Sequence, residues 1–160
     1  MKDGKPYRVI RDTREKDDHG WLFSAKDRCL GTVERGLCTG DYTIEGYEEI
    51  FVVERKGSIA EFAKNLVQNR FENELIRLDE FAHPFVVLEF LLADIVNFPQ
   101  GSGIPEYKWK YLRLTPQLLM LKICELQVKH KAKLIFAGEF GQHFVSSLFK
   151  RIVDNVPEPA

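Results

Sequence analysis

The run Ile50-Phe51-Val52-Val53 passes directly into Glu54-Arg55-Lys56, and this junction constrains the fold more than any other stretch. Four consecutive β-branched and aromatic residues read as a short buried strand. Three ions at its end need a reason, because charge in a core is costly unless something pairs with it. Either the strand surfaces at Glu54, or a site is assembled there. Side chains alternate along a strand, so Glu54 and Lys56 share one face and Arg55 takes the other.

The surrounding pattern places that strand in an alternating order. Residues 7–10 read as a first strand running into Arg11-Asp12-Thr13-Arg14-Glu15. A polar stretch with His19 and Gly20 follows, then Trp21-Leu22-Phe23, then an expected loop carrying Cys29 to Cys38. Gly40-Asp41-Tyr42 opens a hairpin, with residues 42–45 going out, Gly46-Tyr47 turning and 49–55 returning. From Ser58 the period becomes helical, with Ile59, Phe62, Ala63, Leu66 and Val67 on one face. Ser58 fits an N-cap, with Glu61 as its capping-box partner. Further helices are expected over 72–80, 117–131 and 144–153, and buried strands over 84–90 and 133–137. The Pro- and Gly-containing stretch 99–107 reads as a loop. This is an α/β order, so the expected architecture is one domain, 1–160, with a mixed sheet flanked by helices. A 160-residue chain with 44% hydrophobic content can bury such a core.

The charged positions then acquire a meaning. Asp41 begins the hairpin whose second strand ends at Glu54, so the fold-back can bring the two together. Asp12 and Glu15 lie just past another strand end. Carboxylates gathered in this way repel one another, and a hard cation such as Mg²⁺ or Mn²⁺ relieves the repulsion. Lys56 would stand beside that centre as an electrostatic clamp or a proton-handling group. The D…E-x-K spacing by itself is equally that of ordinary solvated strand ends.

Order adds specificity that spacing lacks. Ile10–Glu15 (IRDTRE), Gly40-Asp41-Tyr42, Val52–Lys56 (VVERK), 69–78 (NRFENELIRL) and the strand PFVVLEF occur in a sequence that resembles the XPF-type structure-specific endonuclease family. KLIFAGEFGQHFVSSLFKRI is similar to that family's last strand and helix, so the likeness runs from about Tyr7 to Val153. The resemblance implies a restriction-endonuclease-like core and a metal-dependent endonuclease. It makes Asp12, Asp41 and Glu54 metal-site carboxylates, with Asp41, Glu54 and Lys56 catalytic. Glu15 and Arg55 would support the site, and Arg14 and Arg70 would lie near the DNA backbone. Two departures stand out. The family signature continues ERK-x-x-x-D, whereas this chain has Ala60 there and Glu61 one place later, either a replacement or only a cap partner. The family usually carries a tandem helix-hairpin-helix module, and none is read within residues 1–160.

Other features bound the reading. Lys108, Lys110 and Arg113 interleave with Trp109 and Tyr111, a stretch that could follow a phosphate backbone and stack on unpaired bases, or could simply cover a core. Arg70 and Arg77 share a helical face. None of the four histidines shows ligand spacing with another, and no glycine-rich phosphate loop is present. With 23 basic and 24 acidic residues, the chain has no all-round basic coat, though a narrow cationic groove is compatible. Cys29, Cys38 and Cys124 form no CxxC and are expected to pack as small apolar groups. They fit a reducing, intracellular, cytoplasmic setting, and no apolar run is long enough to span a bilayer. The resemblance, with its signature on a lone domain, implies a prokaryotic or phage origin.

The expected function is therefore a Mg²⁺- or Mn²⁺-dependent DNA endonuclease acting on branched, flapped or junction DNA in recombination or repair, with a homodimer possible. The alternatives are a catalytically inactive pseudonuclease that binds DNA or protein, and a sequence-specific restriction enzyme. The second would need base-reading elements for which only residues 99–114 leave room.

Overall fold

The computed structural model describes residues 4–15 and 20–160; His19 lies outside them. Tyr7–Arg11 forms β1, one residue longer than its apolar pattern. The hairpin forms as expected, with β3 at Tyr42–Ile44 antiparallel to β4 at Phe51–Lys56. Its turn is wider than Gly46-Tyr47 alone, because Tyr47 is buried and its N–H donates to the Ile44 carbonyl. Ser58 caps α1 (Ile59–Val67), its Oγ accepting the Glu61 N–H at 3.3 Å. Then come α2 (Arg70–Leu78), β5 (His83–Leu88), α4 (Pro116–Lys129), β6 (Lys133–Phe136) and α5 (Gly141–Asn155), each within a few residues of expectation. Between β5 and α4 lie a short α3 (Leu92–Val96) and a 3₁₀ turn over Glu106–Tyr111, too brief to leave a helical period.

The six strands form one mixed sheet in the order β2-β1-β3-β4-β5-β6. Strands β4, β5 and β6 run parallel, while β3 runs antiparallel to both β1 and β4. This is the mixed α/β sheet expected from the element order.

One expectation fails. The segment taken as a loop from Cys29 contains β2 (Cys29–Glu34), parallel to β1 at the sheet edge. Cys29 is its one buried residue, so no apolar alternation advertises a strand. Gly31 has φ +102, and the register slips between Tyr7 and Val9. The cysteines also divide: Cys29 is buried as a small apolar group, whereas Cys38 and Cys124 are exposed.

Alternation along β4 and β5 builds two cores. Val52, Val86 and Leu88 face α1, α2 and α4, packing with Phe62, Phe71 and Leu75. Phe51, Val53, Phe85 and Val87 face α5 and the 21–23 segment. There Phe149 meets Phe23 at 5.1 Å, Phe51 at 5.9 Å and Tyr7 at 6.0 Å between ring centroids, in tilted or edge-on pairs that aromatic quadrupoles favour.

Removing Phe149 should empty the centre of that second core. Phe149→Ala is expected to cost about 3–5 kcal/mol in urea unfolding. Phe140→Ala, at a ring 63% exposed, should stay within about 0.5 kcal/mol. Equal midpoints for the two variants would refute the seating of α5 on the sheet.

Candidate active site

Three strand ends meet at one edge of the sheet, and the backbone around Asp41 holds them there. The Asp12 N–H donates to the Asp41 carbonyl at 2.8 Å, joining the end of β1 to the start of β3. The Asp41 N–H donates to the Val53 carbonyl at 2.9 Å, and the Arg55 N–H donates to Asp41 Oδ2 at 2.7 Å. Gly40 enters this position at φ +84, and a Cβ there would collide with the Val52 side chain. Only glycine brings the chain in so closely.

As alternation requires, Glu54 and Lys56 lie with Val52 on the α1/α2 face. Lys56 Nζ stands 3.3 Å from Glu54 Oε1 and 2.6 Å from Glu74 Oε2, and 5.8 Å from the centre of the Phe71 ring. Arg55 goes to the opposite face. There it pairs with Glu89, lies 3.5 Å from Glu15 Oε1 and sits over Trp21 at 5.7 Å. Arg55 and Glu15 thus brace β4 from behind. The other Glu15 oxygen, Oε2, is buried without a hydrogen-bond partner among the described residues.

A cleft of about 250 Å³ opens between Asp12, Arg14, Asp41, Glu54, Glu74 and Arg77, with the exposed Cys38 on its wall. A second of about 250 Å³ shares Arg14, Asp41 and Glu54 and adds Lys56 and Glu61, the latter exposed at its rim. The sequence-derived set Asp12, Asp41, Glu54 and Lys56 is therefore brought to one place. Asp12 is also a structural anchor: its carboxylate accepts from Arg14 Nε and the Leu37 N–H, both at 2.8 Å.

Some expected residues fall elsewhere. Arg70 is exposed at the first position of α2, and it is Arg77 that lines the cleft. Lys108, Lys110 and Arg113 are exposed in and just after the 3₁₀ turn and line neither cleft. Trp109 is half-buried, its Nε1 donating to the Ile104 carbonyl at 2.9 Å, so it anchors that turn. Glu74 and Glu89 were not singled out from sequence, and Arg77 was noted there only as sharing a helical face with Arg70. A signal existed for Glu74 as well, since residues 70, 74 and 77 share one helical face.

The electrostatics are those of an uncompensated carboxylate pair. Burial, then the charges of Glu15 and Asp12, push Asp41 up to about 7 against the Arg55 N–H and Lys56. Burial and the Asp41 charge push Glu54 up to about 8 although Lys56 is adjacent. Burial alone would lower Lys56, but Glu54 and Glu74 outweigh it and hold its amine above the ordinary value. One ammonium shared by two glutamates does not neutralise the cleft.

That donor set suits a hard cation. Among the described residues no group of three or more His, Cys, Asp or Glu side chains encloses a metal site. Mg²⁺ does not require one, since it keeps several waters and takes one or two carboxylates together with substrate phosphates. Asp41 and Glu54, with Asp12 across the cleft, are the carboxylates that could hold such a cation, and their raised proton affinity gives an electrostatic reason to accept positive charge.

Comparison with known proteins adds the following. The family model described as "ERCC4 domain" matches residues 11–143. No curated protein matches the sequence. The structure of XPF from Aeropyrum pernix aligns with a TM-score of 0.62 at 21% identity, covering 91% of this chain and 60% of that one. XPF from Aeropyrum pernix in complex with DNA aligns with a TM-score of 0.63 at 21% identity, covering 96% of this chain and 68% of that one. These neighbours have the same restriction-endonuclease-like fold, and this chain spans 60% of the length of the first.

Asp41 and Glu54 bind their protons more tightly folded than unfolded, so the metal-free fold should lose stability as pH rises from about 5 to about 8. Melting in EDTA is expected to show that fall, and added Mg²⁺ or Mn²⁺ to reduce it. Glu54→Gln should flatten the slope and melt higher at the alkaline end. A flat profile for the parent protein in EDTA would mean that the two carboxyls are not buried against each other.

Proposed function

The chain belongs to the ERCC4 domain family, and from that premise we propose that it is a divalent-metal-dependent endonuclease that hydrolyses phosphodiesters in branched, flapped or junction DNA. The observation that carries this reading is the Asp41–Glu54 pair, held together by strand geometry at a cost in electrostatic repulsion. Asp41 and Glu54, with Asp12, would hold Mg²⁺ or Mn²⁺. When bound, the ion would neutralise the carboxylates, polarise a phosphate oxygen and lower the proton affinity of water beside it.

The remaining work falls to the chain's own groups. Lys56, kept charged by Glu54 and Glu74, is placed to stabilise negative charge growing on the phosphorus oxygens. Because its amine is held above the ordinary value, it serves as a cation and donor and not as a base at neutral pH. The Arg55 N–H fixes the direction of Asp41, while the Arg55 side chain, tied to Glu15 and Glu89, keeps β4 from shifting. Arg14 and Arg77, on the cleft wall, supply positive charge for flanking phosphates, with Arg70 further out on α2. Glu61, which lines the same cleft as Lys56, would take the part of the aspartate that Ala60 replaces.

With a net charge of −1, recognition would rest on local cations and DNA shape more than on a basic coat. A homodimer is part of the reading, and light scattering would then return twice the 18.6 kDa chain mass. The substitution at Ala60 favours a second reading, a module that binds such DNA without cutting it.

Labelled linear, flapped, forked and four-way DNAs incubated with Mg²⁺ or Mn²⁺ separate these readings. The parent protein should cut one or more branched forms and be stopped by EDTA. Asp41→Ala and Glu54→Gln should each slow cleavage by about 100-fold or more, as expected when transition-state stabilisation of several kcal/mol is lost. Both should still fold and bind DNA. Unchanged cleavage by both variants would dismiss the site, and cleavage in excess EDTA would dismiss the metal.

A further inference from the structure

The 3₁₀ turn Glu106–Tyr111 is unlike the rest of the surface. Tyr107 and Tyr111 are 70% and 73% exposed, more than any other aromatic side chain among the described residues. Each carries a lysine over its ring, Lys108 at 5.8 Å and Lys110 at 5.1 Å from the ring centres. An ammonium on one face of a ring leaves the opposite face open and restrains its orientation. The turn is itself anchored, because Trp109 Nε1 donates to the Ile104 carbonyl and Ile104, Leu112 and Leu114 pack on the first core. Two open aromatic rings are thus presented from a fixed support, among three cations and one acid, Glu106.

Topology puts this support beside the proposed catalytic edge. Strands β4 and β5 run parallel, and Glu54 and Lys56 lie at the C-terminal end of β4. Three residues separate the end of α4 from the start of β6, so its C-terminus lies at the opposite edge. Its fourteen residues span about 21 Å, roughly the height of a six-residue strand at about 3.3 Å per residue. The start of α4, and the turn just before it, therefore return to the edge that carries Glu54. They also return to the same face, since α4, Val52 and Leu88 share the first core.

Resting on the nuclease reading above, we infer that Tyr107 and Tyr111 form a stacking platform for unpaired bases, with Lys108, Lys110 and Arg113 following the phosphates of that single strand. Every base has a π-face, so such a platform tolerates sequence and selects for strands that are not paired. Paired bases are already stacked and offer the rings nothing. At about 2.0 Å rise per residue the two tyrosines stand about 8 Å apart along the turn, so each receives its own base. The platform would hold the unpaired arm of a branch while the duplex lies across the carboxylate cleft.

Fluorescence anisotropy at fixed salt, using labelled oligo(dT) and a blunt duplex of equal length, tests this apart from cleavage. The double variant Tyr107→Ala/Tyr111→Ala should weaken oligo(dT) binding about 10-fold or more and duplex binding less than about 2-fold. Tyr107→Phe/Tyr111→Phe should restore oligo(dT) binding, because the π-face returns without the hydroxyl. Lys108→Gln/Lys110→Gln should weaken both probes and lower the salt dependence. Both rings already face solvent, so melting temperatures should be unchanged and misfolding is separable. Equal losses on both probes, no loss at all, or failure of the phenylalanine variant to rescue would each overturn the platform. Binding that follows the expected pattern in a protein that cuts no DNA would remove the nuclease reading and leave the platform standing. Fork cleavage by a protein whose oligo(dT) binding ignores the tyrosines would do the reverse.

Discussion

Asp41 joins three strands through groups that cannot be exchanged independently. Its carbonyl receives the Asp12 N–H, its N–H reaches Val53, and its side chain accepts from the Arg55 N–H. The residue that would hold a cation is thus also the residue that aligns β1, β3 and β4. A buried backbone donor left unpaired costs on the order of 1–3 kcal/mol, so the Arg55 amide effectively dictates where one Asp41 oxygen points. Asp41 and Glu54 both line the cleft. Position and function are set by the same bonds.

Local instability is the other side of this arrangement. Two acids driven toward neutrality by burial and mutual repulsion, with one lysine shared between two glutamates, are worse for the fold than an apolar plug would be. What makes it tolerable is the rigid surround. Phe71 lies beneath Lys56, Trp21 lies beneath Arg55, and Glu15 and Glu89 complete a counter-charged brace on the far face. The strain is confined to the few atoms where positive charge would be welcome.

Much of this was legible before any coordinates, and the failures have physical causes. The β4 strand, its ion triplet and the helix after Ser58 announced themselves because period, propensity and capping agreed. The convergence of Asp12, Asp41, Glu54 and Lys56 was legible from the hairpin and the order of motifs. Strand β2 was not, since it is half-exposed and gains its partners from β1 across a long connection. The shared helical face of residues 70, 74 and 77 was legible, but which of them line the cleft depends on how α2 docks, a tertiary fact that no local pattern encodes. For Trp109 and Tyr111 the sequence left stacking and core-covering open, because an aromatic stretch in a loop does not say which rings face inward; Trp109 is half-buried and Tyr111 exposed.

The opposite destinations of Arg55 and its two neighbours also limit how the chain can drift over generations. Side-chain direction in a strand flips with every residue, so a single-codon insertion or deletion that slipped β4 by one place would present a guanidinium where Glu54 or Lys56 belongs. Such indels in the hairpin should be purged, while point substitutions on its solvent side persist. The connection between α3 and α4 carries no such parity, and outside the residues that anchor its 3₁₀ turn and the two tyrosines it presents, its length is free to vary. Residue count is a hard boundary in one segment and a tunable quantity in the other.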